Sequence, residues 1–350
     1  MIKLKRIELD VLRSLGDSRD YTDIARTARI SPSSVRRVLE RLREKFLIRG
    51  YFSFKGLGYR LILLRKEFDP ALYSRPIPFI LEKIPLVTGK GKKTTYYLAM
   101  EPEEKQGEVA DILKIKEEDV SPVRRFAWRP DVSGRLTLEH GHLQVEVGSL
   151  DHFLERVVVP FSETSQKLKP DHLDLWIIAE IMRDPFVSLS REAVKRGIKQ
   201  QTASYHYTQH VKPFHLFNSV TPRFYSLGIP GVLIEIKAKR DMPEQVAWAL
   251  STHPFVRETF SAPNEKVLAL VYLQGGDLLD FYKLLETSSL VEDFRFNGLL
   301  IGEIKEYTPP FGDAFKDDPY DLKPMFQAIY TPSTPASWTI FDISEGTPPS

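Results

Sequence analysis

Basic side chains are concentrated between residues 29 and 49 of this sequence. Seven basic residues stand there against two acidic ones, Glu40 and Glu44. The basic residues are Arg29, Arg36, Arg37, Arg41, Arg43, Lys45 and Arg49. Such groups neutralise phosphates, and arginine also binds the edge of guanine through paired hydrogen bonds. The stretch therefore predicts nucleic-acid binding, although the whole chain of 350 residues has a net charge of only +2.

Helical spacing divides this stretch into a buried and an exposed face. Ser31 is a favourable N-cap, and Pro32 suits the first helical position. Apolar residues recur at intervals of three and four, at Val35, Val38, Leu39 and Leu42. The opposite face and its flanks carry Ser33, Ser34, Arg36, Arg37, Glu40 and Arg41. We expect residues 31–45 to form a recognition helix that enters a major groove.

The expected contacts of this region divide by role. We expect the side chains of Ser33, Ser34 and Arg37 to contact base edges. We expect phosphates to be bound by basic side chains, namely Arg36, Arg41, Arg43, Arg49 and Lys55. The segment FLIRGYFSFK predicts a two-stranded wing that turns at Gly50. Two shorter helices are predicted before residue 31, the first ended by Gly16 and the second capped by Thr22.

A degenerate copy of this helical pattern begins near Leu173. Leu9-Asp10 corresponds to Leu173-Asp174, and Ala25…Ile30 corresponds to Ala193…Ile198. In the third helix of the copy, His206 and His210 take the places of Val38 and Leu42. The residues expected on its exposed face are Gln201, Thr202, Ser204 and Tyr205. This second motif either contacts DNA as well or serves as a structural or protein-docking unit.

The two histidines of the copy lie four residues apart, a spacing that also suits a metal. A metal site needs a carboxylate or a third ligand, and none is obvious nearby in the sequence, so we expect none. His140 and His142 form a weaker pair. The sequence has neither a phosphate-binding GxxxxGK[ST] motif nor a GxSxG motif. We expect neither a cofactor nor an enzyme.

Each helical pattern is followed by a segment with the predicted order β-α-β-β-α-β, which is typical of a ferredoxin-like fold. In the first segment, PIPFILEKIPLV is interpreted as a helix, and the following hairpin turns around Gly89-Lys90-Gly91. The second segment repeats the order from PGVLIEIKAK to VEDFRFNGLLIGEIKEY. We therefore predict an α+β chain in which two winged helix-turn-helix domains alternate with two ferredoxin-like (βαββαβ) domains.

This arrangement resembles the Lrp/AsnC family of transcription regulators, in an archaeal-type, tandemly duplicated form. The matching residues are Leu9-Asp10, Ile24-Ala25, Ile30-Ser31, Val35, Leu39, Leu42 and Ile48-Arg49-Gly50-Tyr51. The resemblance implies that the α+β domains mediate dimerisation and can bind an amino acid. In that family a glycine and an acidic residue lie near the ligand. The first copy here keeps the glycine as Gly89 but continues with the basic Lys90, and the second copy, Val256–Phe260, has no glycine. We therefore do not expect amino-acid sensing.

The predicted domains follow the repeat. They are a winged helix-turn-helix at 1–55, a ferredoxin-like domain at 56–132, a hairpin, short helix and polar linker at 133–170, a second winged helix-turn-helix at 171–226, a second ferredoxin-like domain at 227–308 and a Pro-rich tail at 309–350. The tail is acidic and aromatic, which suits docking on its own protein or on a partner.

The bulk composition excludes several classes of protein. The chain has no cysteine and therefore no disulfide. No apolar run is long enough to span a membrane, and the N-terminus lacks the features of a signal peptide. We expect a cytoplasmic protein.

The sequence thus predicts a sequence-specific regulator of transcription that binds double-stranded DNA. It acts as a homodimer or as an intramolecular pseudo-dimer. The alternative is a protein-binding factor whose winged helices contact RNA polymerase or a basal initiation factor. A weaker alternative is an enzyme like the siroheme decarboxylases, which resemble the same layout, but Glu258-Thr259 stand where those enzymes have a histidine and a tyrosine.

Overall fold

The computed structural model describes residues 2–132, 136–145, 150–151, 166–273, 275–331 and 337–344. It is a mixed α+β protein built on antiparallel sheets. The described α-helices are α1 (Arg6–Arg13), α2 (Tyr21–Ala28), α3 (Pro32–Arg43), α4 (Pro70–Ser74), α5 (Glu108–Leu113), α6 (His172–Arg183), α7 (Leu189–Lys195), α8 (Gln200–Tyr205), α9 (Pro243–Ser251), α10 (Gly276–Thr287) and α11 (Lys323–Tyr330). A π-helical turn (His206–Val211) continues α8.

The described strands fall mostly in the segments between the helices. They are β1 (Phe46–Phe52), β2 (Tyr59–Glu67), β3 (Ile80–Val87), β4 (Lys93–Pro102), β5 (Val120–Pro122), β6 (Arg124–Ala127), β7 (Leu136–Glu139), β8 (His142–Val145), β9 (His215–Pro222), β10 (Gly231–Ala238), β11 (Val256–Ala262), β12 (Lys266–Tyr272), β13 (Val291–Leu300) and β14 (Lys305–Glu306). Three helices, one strand and a βαββαβ series therefore occur in this order twice, from α1 to β5 and from α6 to β13.

Contacts divide the chain into two compact units. Unit 1 comprises Met1–Arg49, Arg124–Ser162 and Phe217–Leu299, and unit 2 comprises Gly50–Val123, Glu163–Leu216 and Leu300–Ser350. Unit 1 thus takes α1–α3 from the first half of the chain and the β10–β13 series from the second half. Unit 2 takes the β2–β5 series from the first half and α6–α8 from the second.

The sheet of unit 1 has the strand order β13-β10-β12-β11-β6. Its central pair, β10 and β12, runs from Gly231 opposite Tyr272 to Lys237 opposite Lys266. A core of aliphatic side chains around the buried Trp248 packs α9 and α10 against this sheet. The outer strand β6 also carries a part-buried ion pair, in which Arg125 Nε donates to the carboxylate of Glu258 in β11 over 2.7 Å.

The sheet of unit 2 has the order β5-β2-β4-β3, with the short strand β14 beside β3. Strands β2 and β4 pair along their whole length, from Tyr59 opposite Pro102 to Glu67 opposite Thr94. Within each βαββαβ series the strands therefore lie in the same order, fourth, first, third, second. In each unit an additional strand, β6 or β14, pairs with the second strand of the series.

The segment PIPFILEKIPLV was predicted to be a helix, and this prediction is wrong. Residues from Ile80 form the strand β3, and α4 ends before it at Ser74. Seven of the eight residues of β3 are buried, so its apolar run shows no alternation that distinguishes a strand from a buried helix. Even Lys83 is buried in β3, where its Nζ donates to the carbonyl oxygen of Leu72 over 2.6 Å, and burial lowers the pKa of the lysine to about 7.

The wing predicted to turn at Gly50 is also wrong. Strand β1 runs through Gly50 without a turn and pairs with β9, the strand that follows the second helical segment. Glycine is required at this position by a close approach, because a Cβ there would lie 2.6 Å from Cγ2 of Ile181 in α6. Strand β1 therefore has its partner in β9, which is distant in sequence, and not in an adjacent hairpin strand.

The C-terminal stretch, predicted as an extended tail, packs on unit 2 and contains α11. The Tyr59 hydroxyl donates to the carbonyl oxygen of Pro319, and the Tyr320 hydroxyl donates to that of Leu57, each over 2.9 Å. The two rings meet edge to face at 5.0 Å. Phe315 is fully buried beside Phe79. The sequence left open whether the tail docks on its own protein or on a partner. These aromatic residues pack against the protein itself.

Strands β7 and β8 form the hairpin predicted within residues 133–170. The short helix and polar linker predicted after that hairpin lie mostly outside the described residues. Among the described residues, no helix is long and apolar enough to cross a bilayer.

The close approach of Ile181 to Gly50 predicts that Gly50→Ala lowers the stability of the protein. We expect the added methyl group to destabilise the protein by about 1–3 kcal/mol, because it must displace Ile181 or the strand. Urea unfolding of the full chain measures the effect. Gly89→Ala is the matched control, since a Cβ at Gly89 meets nothing within 4 Å. Equal stability of the two variants would contradict the close packing of β1.

Candidate nucleic-acid interface

Helix α3 begins with a well-formed cap, as its sequence predicts. The Ser31 side chain accepts a hydrogen bond from the Ser34 backbone N–H over 3.2 Å, and Pro32 stands at the first position. The hydroxyls of Ser33 and Ser34 lie 3.0 and 2.9 Å from the Ser31 hydroxyl. Helix α2 is capped by Asp20, which accepts from the Thr22 N–H, so the cap predicted at Thr22 is wrong by two residues.

A buried carboxylate fixes the C-terminal half of α3 to α1. The side chain of Glu8, 2% exposed, receives Arg41 Nε at 3.2 Å and Lys45 Nζ at 3.0 Å. The backbone N–H of Lys5 also donates to Glu8, over 2.9 Å. Burial alone would raise the pKa of Glu8, but these donors outweigh it and hold the pKa below its ordinary value of 4.5. The predicted phosphate contact Arg41 is therefore engaged inside the helical segment.

Contacts from the chain around β9 hold the C-terminal end of α3 and the turn after α1. Arg223 caps the C-terminal end of α3, because its Nε donates to the Arg43 carbonyl oxygen at 3.0 Å and its backbone N–H donates to that of Lys45 at 2.9 Å. The side chain of Asn218, fully buried, donates to the carbonyl oxygens of Leu15 and Ser18 in the turn after α1. Donors at a helix C-terminus satisfy its free carbonyl groups.

These anchors leave the N-terminal half of α3 open to solvent. Ser33, Arg36 and Arg37 are exposed, and Ser34 is half-buried. Arg36 makes a loose ion pair with Glu40 at 3.6 Å, and its side chain is 75% exposed. Within the described part of the chain, Arg37 has no hydrogen-bond or ion-pair partner. The exposed surface of α3 thus presents two hydroxyls and two guanidinium groups.

The remaining basic residues of the first motif differ in their exposure. Arg43 and Arg49 are half-buried, and each already engages a neighbouring group. Lys55 is exposed and belongs to unit 2, in the turn that follows β1. Arg29, at the turn between α2 and α3, is exposed in a left-handed backbone conformation with φ of 56°.

The four predicted residues of the second motif lie on α8 in unit 2. Gln201, Ser204 and Tyr205 are exposed and Thr202 is half-buried, while Ala203 packs inward. Tyr205 has 58% of its surface exposed. Helix α8 has no side-chain cap at Lys199, which contrasts with Ser31 before α3.

Sequence reasoning missed the residues that orient α3. Glu8 falls on the predicted first helix but was not distinguished from a solvated acid, and Asn218 and Arg223 lie about 200 residues away. Arg41 and Lys45 lie one helical turn apart. This spacing was a local sign that some of the basic residues pair with a buried acid. Asn218 and Arg223 carry no such local sign.

Comparisons with known proteins identify no relative of this chain. The chain matches no protein-family model, and it matches no curated protein and no solved structure.

The anchor at Glu8 predicts that Glu8→Gln is destabilising, by about 1–2 kcal/mol, because Arg41 and Lys45 lose a charged partner. A lowered carboxyl pKa stabilises the folded state above the ordinary value of 4.5, and this contribution is lost as the pH falls through the folded-state pKa. The difference between wild type and variant should therefore shrink in acid. Urea unfolding at neutral and acidic pH measures it.

Glu44→Gln is the control, since Glu44 is exposed at the end of the same helix. It should stay within about 0.5 kcal/mol of the wild type. A pH-independent loss in Glu8→Gln would show that the charge of Glu8 is not what stabilises the segment.

Proposed function

We propose that the protein is a sequence-specific DNA-binding regulator of transcription that uses α3 as its recognition helix. The observation that carries the proposal is the division of charge on α3. Arg41, near the end of α3, and Lys45, just after it, pair with the buried Glu8, whereas Arg36 and Arg37 face solvent beside the exposed N-terminal turn. A recognition helix needs accessible N-terminal residues to contact base edges and a cationic outer face to contact phosphates.

The exposed groups suit the two kinds of contact that DNA offers. Arg37 has a planar guanidinium with no partner in the described part of the chain, which suits bidentate binding to guanine O6 and N7. Ser33 and Ser34 donate and accept hydrogen bonds near the helix start and suit base edges or phosphates. Arg36 exchanges its weak pair with Glu40 for a phosphate at little cost, because exposed i,i+4 pairs contribute only about 0.3–0.5 kcal/mol.

The element order supports a finer interpretation of the fold. Three helices with a short turn before the third suit a helix-turn-helix, and β1, paired with β9, takes the place of an isolated wing. The order βαββαβ and the strand arrangement common to both sheets suit ferredoxin-like domains. We therefore retain the resemblance to Lrp/AsnC regulators, in a chain that carries both domains twice, and with it a cytoplasmic setting.

The second helical segment adds a candidate contact surface through Gln201, Thr202, Ser204 and Tyr205. Two unlike motifs in one chain suit a site whose halves differ in sequence. The alternative function, contact with RNA polymerase or a basal factor, drew support from the aromatic tail. Phe315 and Tyr320 are buried in unit 2, which weakens this support, whereas Phe326 and Tyr330 of α11 are 52% and 41% exposed and retain part of it.

The test is selection of binding sites from a random duplex pool with the full-length protein. We expect one enriched motif, and Arg37→Ala should weaken binding to it by about 1–3 kcal/mol, or roughly 5- to 150-fold, and relax the preference at one position. Affinities are measured by fluorescence anisotropy at two salt concentrations.

Arg240→Ala is the matched control, because Arg240 is an equally exposed arginine in unit 1 but lies outside the helical segment. It should bind the motif like the wild type. If no motif is enriched, or if the two variants lose affinity equally, α3 is not the sequence reader and the protein-binding alternative gains.

A further inference from the structure

We propose that Asp174, His206 and His210 bind a divalent transition-metal ion, and that Zn²⁺ fits best. The three side chains come from two elements of unit 2: Asp174 lies in the first turn of α6, and both histidines lie in the π-helical turn after α8. Each residue offers one ligand atom, and the three atoms lie within 4.8 Å of one another.

The distances suit a shared ion. Nδ1 of His206 lies 2.8 Å from Oδ1 of Asp174, and Nδ1 of His210 lies 3.2 Å from Oδ1 and 3.3 Å from Oδ2. Ligands bound at about 2.0–2.1 Å to a tetrahedral zinc lie roughly 3.3 Å apart. Both imidazoles thus direct the same kind of atom, Nδ1, towards one carboxylate. Imidazole and carboxylate ligands together suit Zn²⁺ better than Mg²⁺ or Ca²⁺.

The charge of Asp174 favours a cation at this place. Its side chain is 1% exposed, and no lysine or arginine pairs with it among the described residues. A buried carboxylate is costly unless a positive charge or several donors compensate it. Asp171 adds a second carboxylate, with Oδ2 3.7 Å from Nδ1 of His206. The two carboxylates together carry a charge of −2, which one divalent ion neutralises.

The surrounding backbone holds the ligands in place. Asp174 Oδ2 accepts the backbone N–H of Asp171 over 3.0 Å, and the Asp171 side chain in turn accepts from the N–H of Asp174. Hydrogen bonds of this kind orient the ligands of metal sites. The histidines lie in a π-helical turn, a rare conformation that occurs frequently at functional sites.

The first helical segment serves as an internal comparison. Asp10 corresponds to Asp174, but Val38 and Leu42 stand where the second segment has His206 and His210. Asp10 is only half-buried and pairs with Arg6 at 3.2 Å. The second segment therefore differs from the first in three ways: the acid is buried, it has no arginine partner among the described residues, and two histidines stand at positions that are aliphatic in the first segment.

A bound ion would join the start of α6 to the end of α8. The ring of Tyr205 packs edge to face on both imidazoles, with centroids 5.9 and 5.4 Å from those of His206 and His210. Occupancy of the site therefore fixes the exposed end of α8. This inference does not depend on the proposed DNA binding, because it concerns only ligand geometry within unit 2.

The test uses the full-length protein after treatment with a chelator and removal of the chelator. Titration with Co²⁺, followed by visible absorption, should give one equivalent with the strong d–d bands of a tetrahedral site, and Zn²⁺ should displace it. Zn²⁺ should also raise the midpoint of thermal unfolding, because it binds only the folded state.

The variants His210→Gln and Asp174→Asn should each weaken metal binding at least about tenfold. His172→Gln is the control, because His172 lies on α6 outside the cluster and should leave binding unchanged. The proposal is overturned if the wild type shows no saturable equivalent, or if His210→Gln binds Co²⁺ as tightly as His172→Gln. Because the first result comes from the wild type, a variant that fails to fold does not decide the matter.

Discussion

The compensation of a buried carboxylate governs both helical segments of this chain. In unit 1, Glu8 of α1 is neutralised by Arg41 and Lys45, which pins α3 at its C-terminal half and directs Arg36 and Arg37 to solvent. In unit 2, Asp174 of α6 faces two imidazoles instead. The same constraint, that an acid buried between helices needs compensating partners, thus leaves one segment with an open basic face and the other with two histidines beside its carboxylate.

The second constraint is that each compact unit combines segments from both halves of the chain. Each compact unit takes its three-helix segment, α1–α3 or α6–α8, from one half of the sequence and its βαββαβ series from the other half. The strands β6 and β14 follow the same rule, since each comes directly after one βαββαβ series and pairs with the sheet of the other. Neither half of the chain contains a complete unit, so we infer that the two halves fold interdependently. The pairing of β1 with β9 replaces the wing that a single helical domain would carry.

Local patterns predicted α3 well, because its cap, its first-position proline and its apolar stripe are all set within about 15 residues. They failed at β3, where burial on both faces removes the alternation of a strand, and at Gly50, whose role depends on Ile181. The spacing of His206 and His210 was recognised in the sequence, but the carboxylate beside them was missed, because Asp174 lies 32 and 36 residues away from them. Partners brought together by tertiary packing leave no periodic signal in the sequence.

Hydrogen exchange of the full-length protein, with and without the duplex DNA that it selects, tests the central claim most directly. The account predicts that DNA slows exchange in a peptide covering residues 31–40, where Ser33, Ser34, Arg36 and Arg37 lie on the exposed surface of α3. Peptides covering β10 and β12, which form the interior of the unit 1 sheet, should be unchanged. DNA binding that leaves residues 31–40 unprotected, with protection elsewhere, would contradict the assignment of α3 as the recognition helix.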